Sequence, residues 1–362
     1  MVRNLAQQAG RAVLGLAALA GLAACGTMRP AVEFPVESAS QVQAEAAFER
    51  EGLLARLHEQ DRRVAAVAYR IAAANAGLCS ERGQATGLML QSALQYSPRL
   101  RPIARKLFGI DDRPAVDVVV PGSPADHAGL QPGDVVLTVD GQPLREPAPA
   151  SNAPDSRPAS YAPVEAALDS IAAALTRGPV RLQVQHDGAA REIQLSGVEA
   201  CAYDAQVIPS NELNASADGR HVFITTGMVR YANTDETLAL VLGHEFAHDV
   251  MHHRRRLDSQ GFARGVVGQL GSTPRSLNTS EKEADYVGLY LTARAGYDIS
   301  RAPDFWRQFA ADYGEAFYVR WSHPGSLDRA VNLAATRDEI QAKEKAGEPL
   351  IPTPARMAAS GS

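Results

Sequence analysis

Cysteine is scarce, with three in 362 residues, so the fold must rest on apolar burial instead of a disulfide framework. Basic charge is not in excess either. Lys and Arg number 36 against 41 Asp and Glu, the net charge is −5 and the pI is about 6.0, which excludes the electrostatic footprint of a nucleic-acid binder. No apolar run is long enough to span a bilayer: the stretch from Ala12 to Ala24 is short of the ~20 residues a crossing helix needs. What is present in quantity is hydrophobic side chain, 45% of the residues, enough for two domains with substantial cores and too much for a disordered chain.

Arg3 and Arg11 precede the short apolar run, which ends in small residues, so residues 1–24 read as a secretory signal. Leu22-Ala23-Ala24-Cys25 resembles the bacterial lipobox, which implies cleavage before Cys25, lipidation of its thiol and a membrane anchor. A plain signal peptide with an accidental cysteine is the alternative. Gly26, in place of Asp, resembles lipoproteins sorted to the outer membrane, so the expected location is lipid-anchored, facing the periplasm. In that oxidising compartment Cys79 and Cys201 are free to pair. Residues 25–39 read as a tether.

Residues 40–87 open with one or two amphipathic helices, with Leu53, Leu57, Val64, Val67 and Ile71 at helical spacing. A block of different character follows at residues 88–197. Its Gly122, Ser123, Pro124, Ala125, Ala128, Gly129, Leu130, Gly133, Asp134 and Gly141 closely resemble a bacterial PDZ domain, which implies a β-rich unit binding peptide C-termini by strand addition. Leu107-Phe108-Gly109-Ile110 is the candidate carboxylate-holding loop, with a buried first strand as an equal account. Because an inserted domain enters and leaves its host at neighbouring points, and Cys79 and Cys201 bracket this block, they are expected to form a disulfide across its neck.

The chemistry lies beyond it. Residues 240–253 read "LVLGHEFAHDVMHH", in which His244 and His248 share one helical side and Glu245 can reach a water held between them. Asn233 with Glu236 forms a capping-box-like start to that helix. A second helix offers Glu281 and Glu283. Ser280 as N-cap gives Glu283 a local role, leaving Glu281 as the third ligand, with Asp285 on the same face and Gly288 leaving room for a neighbouring helix. Three protein ligands leave the fourth position to water, as a catalytic site requires.

Asn214-Ala215, the 223–227 segment, Gly243-His244-Glu245-Phe246-Ala247-His248, Glu281-x-Glu283-Ala284-Asp285 and His323-Pro324…Arg329 resemble, in order and spacing, the zinc metallopeptidase family that includes HtpX and the CAAX prenyl proteases. The likeness covers roughly residues 50–80 and 200–335 and implies an α+β fold, a mainly helical peptidase core with a small sheet, interrupted by the PDZ-like block. The peptidase domain is then residues 198–345, and the tail 346–362 matches nothing. The resemblance implies one Zn2+ per chain on His244, His248 and Glu281, Glu245 as catalytic base, Asp285 orienting a histidine ligand, and Asn214 and Ala215 on substrate. His253 also resembles the family pattern, while Asp249 and His252 read as a solvated helix end. The 221–226 segment either takes substrate backbone as an added strand or is an ordinary sheet member.

His323 and Arg329 are candidates for stabilising the negative charge that develops at the scissile carbonyl. Alternatively they are a structural hydrogen-bonder and a surface cation, or His323 plugs the site at rest. The expected function is a zinc endopeptidase acting on misfolded or misassembled envelope proteins. The alternative is a lipoprotein chaperone or adaptor that binds through the PDZ-like block and makes little use of its zinc site.

Overall fold

The computed structural model describes residues 38–145, 156–259, 273–318 and 327–353. The signal segment, Cys25, His323 and the end of the tail lie outside these residues. The chain divides into two units, Met1–Ala46 and Ala47–Ser362. The described part of the first is the exposed start of helix α1 (Ala39–Ala74), capped reciprocally by Ser38 and Gln41. All packing described below belongs to the second.

Helix α1 is a single continuous helix with no proline, and its Val64, Val67, Ala68, Ile71 and Ala72 are buried. After it the chain forms β1 (Arg82–Ala85), which pairs antiparallel with β8 (Val198–Cys201). Arg82 lies opposite Cys201, and the Cys79–Cys201 disulfide closes the ribbon with Cα atoms 5.5 Å apart.

Between these two strands lies a separate sheet in the order β2 (Leu88–Gln91), β3 (Ala115–Val119), β4 (Val135–Val139), β6 (Val180–His186), β7 (Ala189–Leu195), with the short β5 (Gln142–Pro143) against β4. The strands of the β6–β7 hairpin are joined by Asp187 and Gly188, both at positive φ, the conformation a two-residue turn between twisted strands demands. Helices α2 (Arg101–Phe108), α3 (Pro124–His127) and α4 (Ala162–Leu175) complete the unit. Alternation sets the burial along β3. Val116 joins α4's Val164, Ala167 and Ile171 in one core, while Ala115 joins α1's Leu54 and α2's Ala104 in another. Asp117, also on β3, meets His58 of α1 at 3.0 Å. Burial, with the Asp117 charge close by, raises the Asp61 carboxyl to about 7.

The candidate carboxylate loop at residues 107–110 is corrected by this architecture. Leu107 and Phe108 close α2, Gly109 is its left-handed cap at φ +65°, and Ile110 is buried in the core shared with α1. Strand β2, reached through Thr86 and Gly87, is one edge of the sheet, and β7 is the other end of its order.

The remaining chain carries β9 (Asp204–Ile208), β10 (Ala215–Ala217) and β11 (His221–Thr225), then α5 (Thr226–Tyr231), α6 (Asp235–Val250), α7 (His253–Ser259), α8 (Thr273–Arg294), α9 (Ala302–Tyr318) and α10 (Leu327–Ala346). The whole is α+β. β11 is the middle strand, parallel to β9 and antiparallel to β10. Both its sides are therefore taken, which rules it out as the strand that receives substrate backbone. The edge nearest that role is β10, which begins at Ala215 and packs on α6. No helix among the described residues is long and apolar enough to cross a membrane. The segment at 347–353 is tied down by Arg294 on the Leu350 carbonyl and the Tyr286 hydroxyl on the Thr353 N–H.

Candidate metal centre

Helix α6 is capped by Thr234, not Asn233. Thr234 Oγ1 accepts the Thr237 N–H at 3.2 Å and Thr237 Oγ1 accepts the Thr234 N–H at 3.1 Å, so a threonine pair forms the box expected of Asn233 and Glu236. Leu238, Leu242 and Phe246 are fully buried, which fixes the helix's rotation and turns His244, Glu245 and His248 toward α8. Helix α8 begins at Thr273, two turns before Ser280, so Ser280 is a buried interior residue and caps nothing. The two helices touch at glycine. A Cβ at Gly288 would lie 2.8 Å from Gly243 O and from His244 N and Cα, a spacing only glycine permits.

This crossing brings three donors together. His244 Nε2 is 3.2 Å from His248 Nε2 and 3.3 Å from Glu281 Oε2, and His248 Nε2 is 3.6 Å from Glu281 Oε1. A tetrahedral ion with bonds of ~2.0–2.1 Å needs ligand atoms ~3.3–3.4 Å apart, so the triangle fits a small tetrahedral metal and the N, N, O set suits zinc. Among the described residues this is the one group of three potential ligands within 4.8 Å of one another. Glu245, next along the helix from His244, is also buried.

Behind the donors stand two chains of hydrogen bonds. Asp285 Oδ1 lies 2.9 Å from His244 Nδ1, and Arg329 grips the same carboxylate in a fork of 2.8 and 2.6 Å. Arg329 is buried, with its guanidinium 4.2 Å over the Trp306 ring. That corrects the surface-cation alternative: its Nε and Nη2 are engaged with Asp285. On the other side His253 Nδ1 lies 2.9 Å from His248 Nδ1, and His253 Nε2 lies 2.9 Å from Glu283 Oε2, which also accepts from Arg256 at 2.7 Å. Glu283 thus has no capping role. Arg256 and Trp306 escaped the sequence reading, as did the pairing of His253 with Glu283. The signal for that pairing was a third histidine after the motif and a second carboxylate beside Glu281.

Electrostatics follow the same lines. Burial works against charge on His244, but its bonds to Asp285 and Glu281 outweigh this and hold its pKa up at about 9 in the metal-free protein. Burial also opposes ionisation of Asp285, yet Arg329 and His244 keep it below the usual carboxylate range. Asp249 is not a solvated helix end. It is buried, accepts the Gly219 N–H at 2.8 Å, and burial lifts its pKa to about 7. His252 takes a left-handed turn at φ +52° and meets Ser80 Oγ at 2.9 Å. Asn214, immediately before β10, accepts the Thr225 N–H on its carbonyl at 3.0 Å and donates its own N–H to Thr225 Oγ1 at 3.1 Å.

Comparison with known proteins adds two family matches. Residues 116–153 match the family described as PDZ domain, and residues 180–273 match Peptidase family M48. The second match begins inside the β2–β7 sheet, where β6 and β7 belong by hydrogen bonding, and stops short of Glu281. The mitochondrial metalloendopeptidase OMA1 of Schizosaccharomyces pombe is 28% identical over 182 residues, 44% of this chain and 53% of that protein. The Bos taurus OMA1 is 28% identical over 174 residues, 38% of this chain and 33% of its own. A Vibrio cholerae protein named beta-barrel assembly-enhancing protease is 27% identical over 136 residues, 30% of this chain and 28% of its own. The chain therefore spans about half the length of the first of these relatives and about a third or less of the other two.

Proposed function

We propose that the chain, which matches Peptidase family M48 over residues 180–273 and a PDZ domain over residues 116–153, is a zinc-dependent endopeptidase of the bacterial cell envelope that hydrolyses misfolded or misassembled proteins. The observation that carries the reading is the His244, His248, Glu281 triangle with Glu245 buried next to it. Zinc bound there would lower the pKa of a water toward ~7 and polarise the scissile carbonyl. The protein's own groups do the rest. Glu245 accepts the water's proton and later gives it to the leaving amine. Asp285, held by Arg329, fixes the ring of His244 so that its Nε2 lone pair faces the donor triangle. Strand β10, which ends its sheet beside α6, is the edge on which an extended substrate can be laid across the site.

The PDZ segment supplies a second edge. Strand β2 ends its sheet with α4 alongside, a groove suited to a peptide C-terminus added as a strand, and Thr86-Gly87 before β2 is the place for its carboxylate. Anchoring through a lipid on Cys25, and an outer-membrane position facing the periplasm, rest on the N-terminal sequence and on the Cys79–Cys201 disulfide, which suits an oxidising compartment. Zinc content and cleavage of an unfolded protein, compared for the wild type and Glu245→Gln, test the assignment. Both should bind one zinc and only the wild type should cleave. Equal cleavage by the two would leave the binding-adaptor reading in possession of the field.

A further inference from the structure

The two histidines of the triangle are backed differently. His244 rests directly on a carboxylate, whereas His248 rests on another histidine. His253 opens α7, one residue beyond the left-handed turn at His252, and that reversal folds its ring beneath His248. The rings lie 4.8 Å apart at 74°, edge to face, and His253 is 2% exposed. At 2.9 Å the two Nδ1 atoms share a hydrogen bond, so one of them must carry a proton and the other a lone pair. At the far end of the ring, Glu283 Oε2 lies 2.9 Å from His253 Nε2. Glu283 also accepts from Arg256 Nη1 at 2.7 Å, which favours its ionised, acceptor-only form.

With both rings neutral, only one proton arrangement satisfies every link. Glu283 accepts, so His253 carries its proton on Nε2 and is left with a lone pair on Nδ1. His248 must then carry its proton on Nδ1, which leaves its Nε2 lone pair pointing at His244 and Glu281. We propose that His253 is a positioning residue for the metal centre: it locks His248 in the tautomer that can ligate a metal, and Glu283 with Arg256 locks His253 in turn. The inference rests on the reading that His244, His248 and Glu281 hold the ion. The sequence separates the parts of this relay by 27 residues between Arg256 and Glu283, and the fold joins them across the interface of α7 and α8. Partners of this kind behind a ligating histidine typically contribute ~10–100-fold in metal affinity.

The test uses the full chain with zinc as the probe. Zinc affinity is measured by chelator competition for the wild type, His253→Phe and His253→Gln, with the melting temperature of each metal-free protein recorded beside it. Phe keeps a ring and removes both nitrogens; Gln can still accept from His248 and donate to Glu283. His253→Phe should bind zinc ~10–100-fold more weakly, and His253→Gln should recover most of that loss. Wild-type affinity in His253→Phe, or a Gln variant as weak as Phe, overturns the proposal. A wild type that binds no stoichiometric zinc overturns the metal reading itself, a result distinct from the other two. Nitrogen-15 spectra of the zinc-loaded wild type give a check that needs no variant. His248 should be protonated at Nδ1 and His253 at Nε2, and the opposite tautomer at His253 refutes the relay.

Discussion

Replacing Gly288 with alanine should separate metal binding from folding. The added Cβ would stand 2.8 Å from Gly243 O, His244 N and His244 Cα, all backbone atoms that no rotamer change can clear. Ordinary contact begins near 3.4 Å, so α6 and α8 must part locally by at least about 0.6 Å. Overpacking of this kind costs ~1–3 kcal/mol. Alanine's better helix propensity returns ~1 kcal/mol. The net destabilisation is then ~0–2 kcal/mol, which a domain of this size survives. The metal site is far less tolerant, because α6 carries His244 and His248, α8 carries Glu281, and ligand distances hold to within ~0.2 Å. Zinc affinity should therefore fall at least tenfold, and turnover by ~10²-fold where a reacting group is misplaced by an ångström. Chelator competition and urea unfolding of the metal-free protein read the two effects. Gly77→Ala, where a Cβ meets nothing within 4 Å, is the control. Gly288→Ala with zinc affinity within threefold of wild type would refute the claim that this crossing sets the ligand triangle.

Other outcomes follow from the buried charges. His244 is held protonated up to about 9 in the metal-free protein, so zinc must displace a proton, and its affinity should drop about tenfold per pH unit below that value; a flat profile from pH 6 to 9 contradicts this. The same raised pKa stabilises the metal-free fold fully below the ordinary histidine value of ~6.5, and that contribution should fade as pH rises through about 9. Arg329→Met strands the buried Asp285 carboxylate and should cost ~3–5 kcal/mol by urea unfolding, with the Asp285→Asn, Arg329→Met pair losing less than the sum of the singles. Asp61 has a carboxyl raised to about 7 by burial, so it favours folding when protonated at low pH and loses that contribution as pH climbs through 7; Asp61→Asn should raise the melting temperature at pH 8 and leave it unchanged at pH 4.

The donor triangle was legible because it rests on helical periodicity. Four-residue spacing placed His244 beside His248 and Glu281 beside Asp285, and Gly288 announced a close crossing. What periodicity could not give was which groups meet across a break in it. The pairing of His253 with His248 depends on a left-handed turn at His252, a conformation that histidine adopts less readily than glycine and that no sequence rule demanded. Asp249 was misread as solvated for a similar reason, since its partner is the Gly219 N–H in the loop before β11. Strand propensity marked residues 221–226 but said nothing of neighbours, and β9 and β10 occupy both sides of the strand at 221–225. Leu107-Phe108-Gly109-Ile110 spells a helix end as well as it spells a binding loop, and the glycine's positive φ serves the former. Helix starts slipped by one residue at Thr234 and by two turns at Thr273, where local capping chemistry offered several equivalent choices.

The Cys79–Cys201 bond has a consequence for damage by proteolysis. It spans 122 positions of sequence, so a cut at any peptide bond between the two cysteines leaves one covalent molecule. Helix α1 lies on the far side of such a cut from α6 and α8, yet its Val64, Val67 and Ile71 help fill the same core as Leu238 and Leu242. Without the bond, a single nick would turn that packing into an association between two fragments, subject to dilution. With it, the fragments stay at the millimolar effective concentrations typical of a short tether. A single cut between the two cysteines would therefore leave His244, His248 and Glu281 on a chain still bonded to the helix that fills their core.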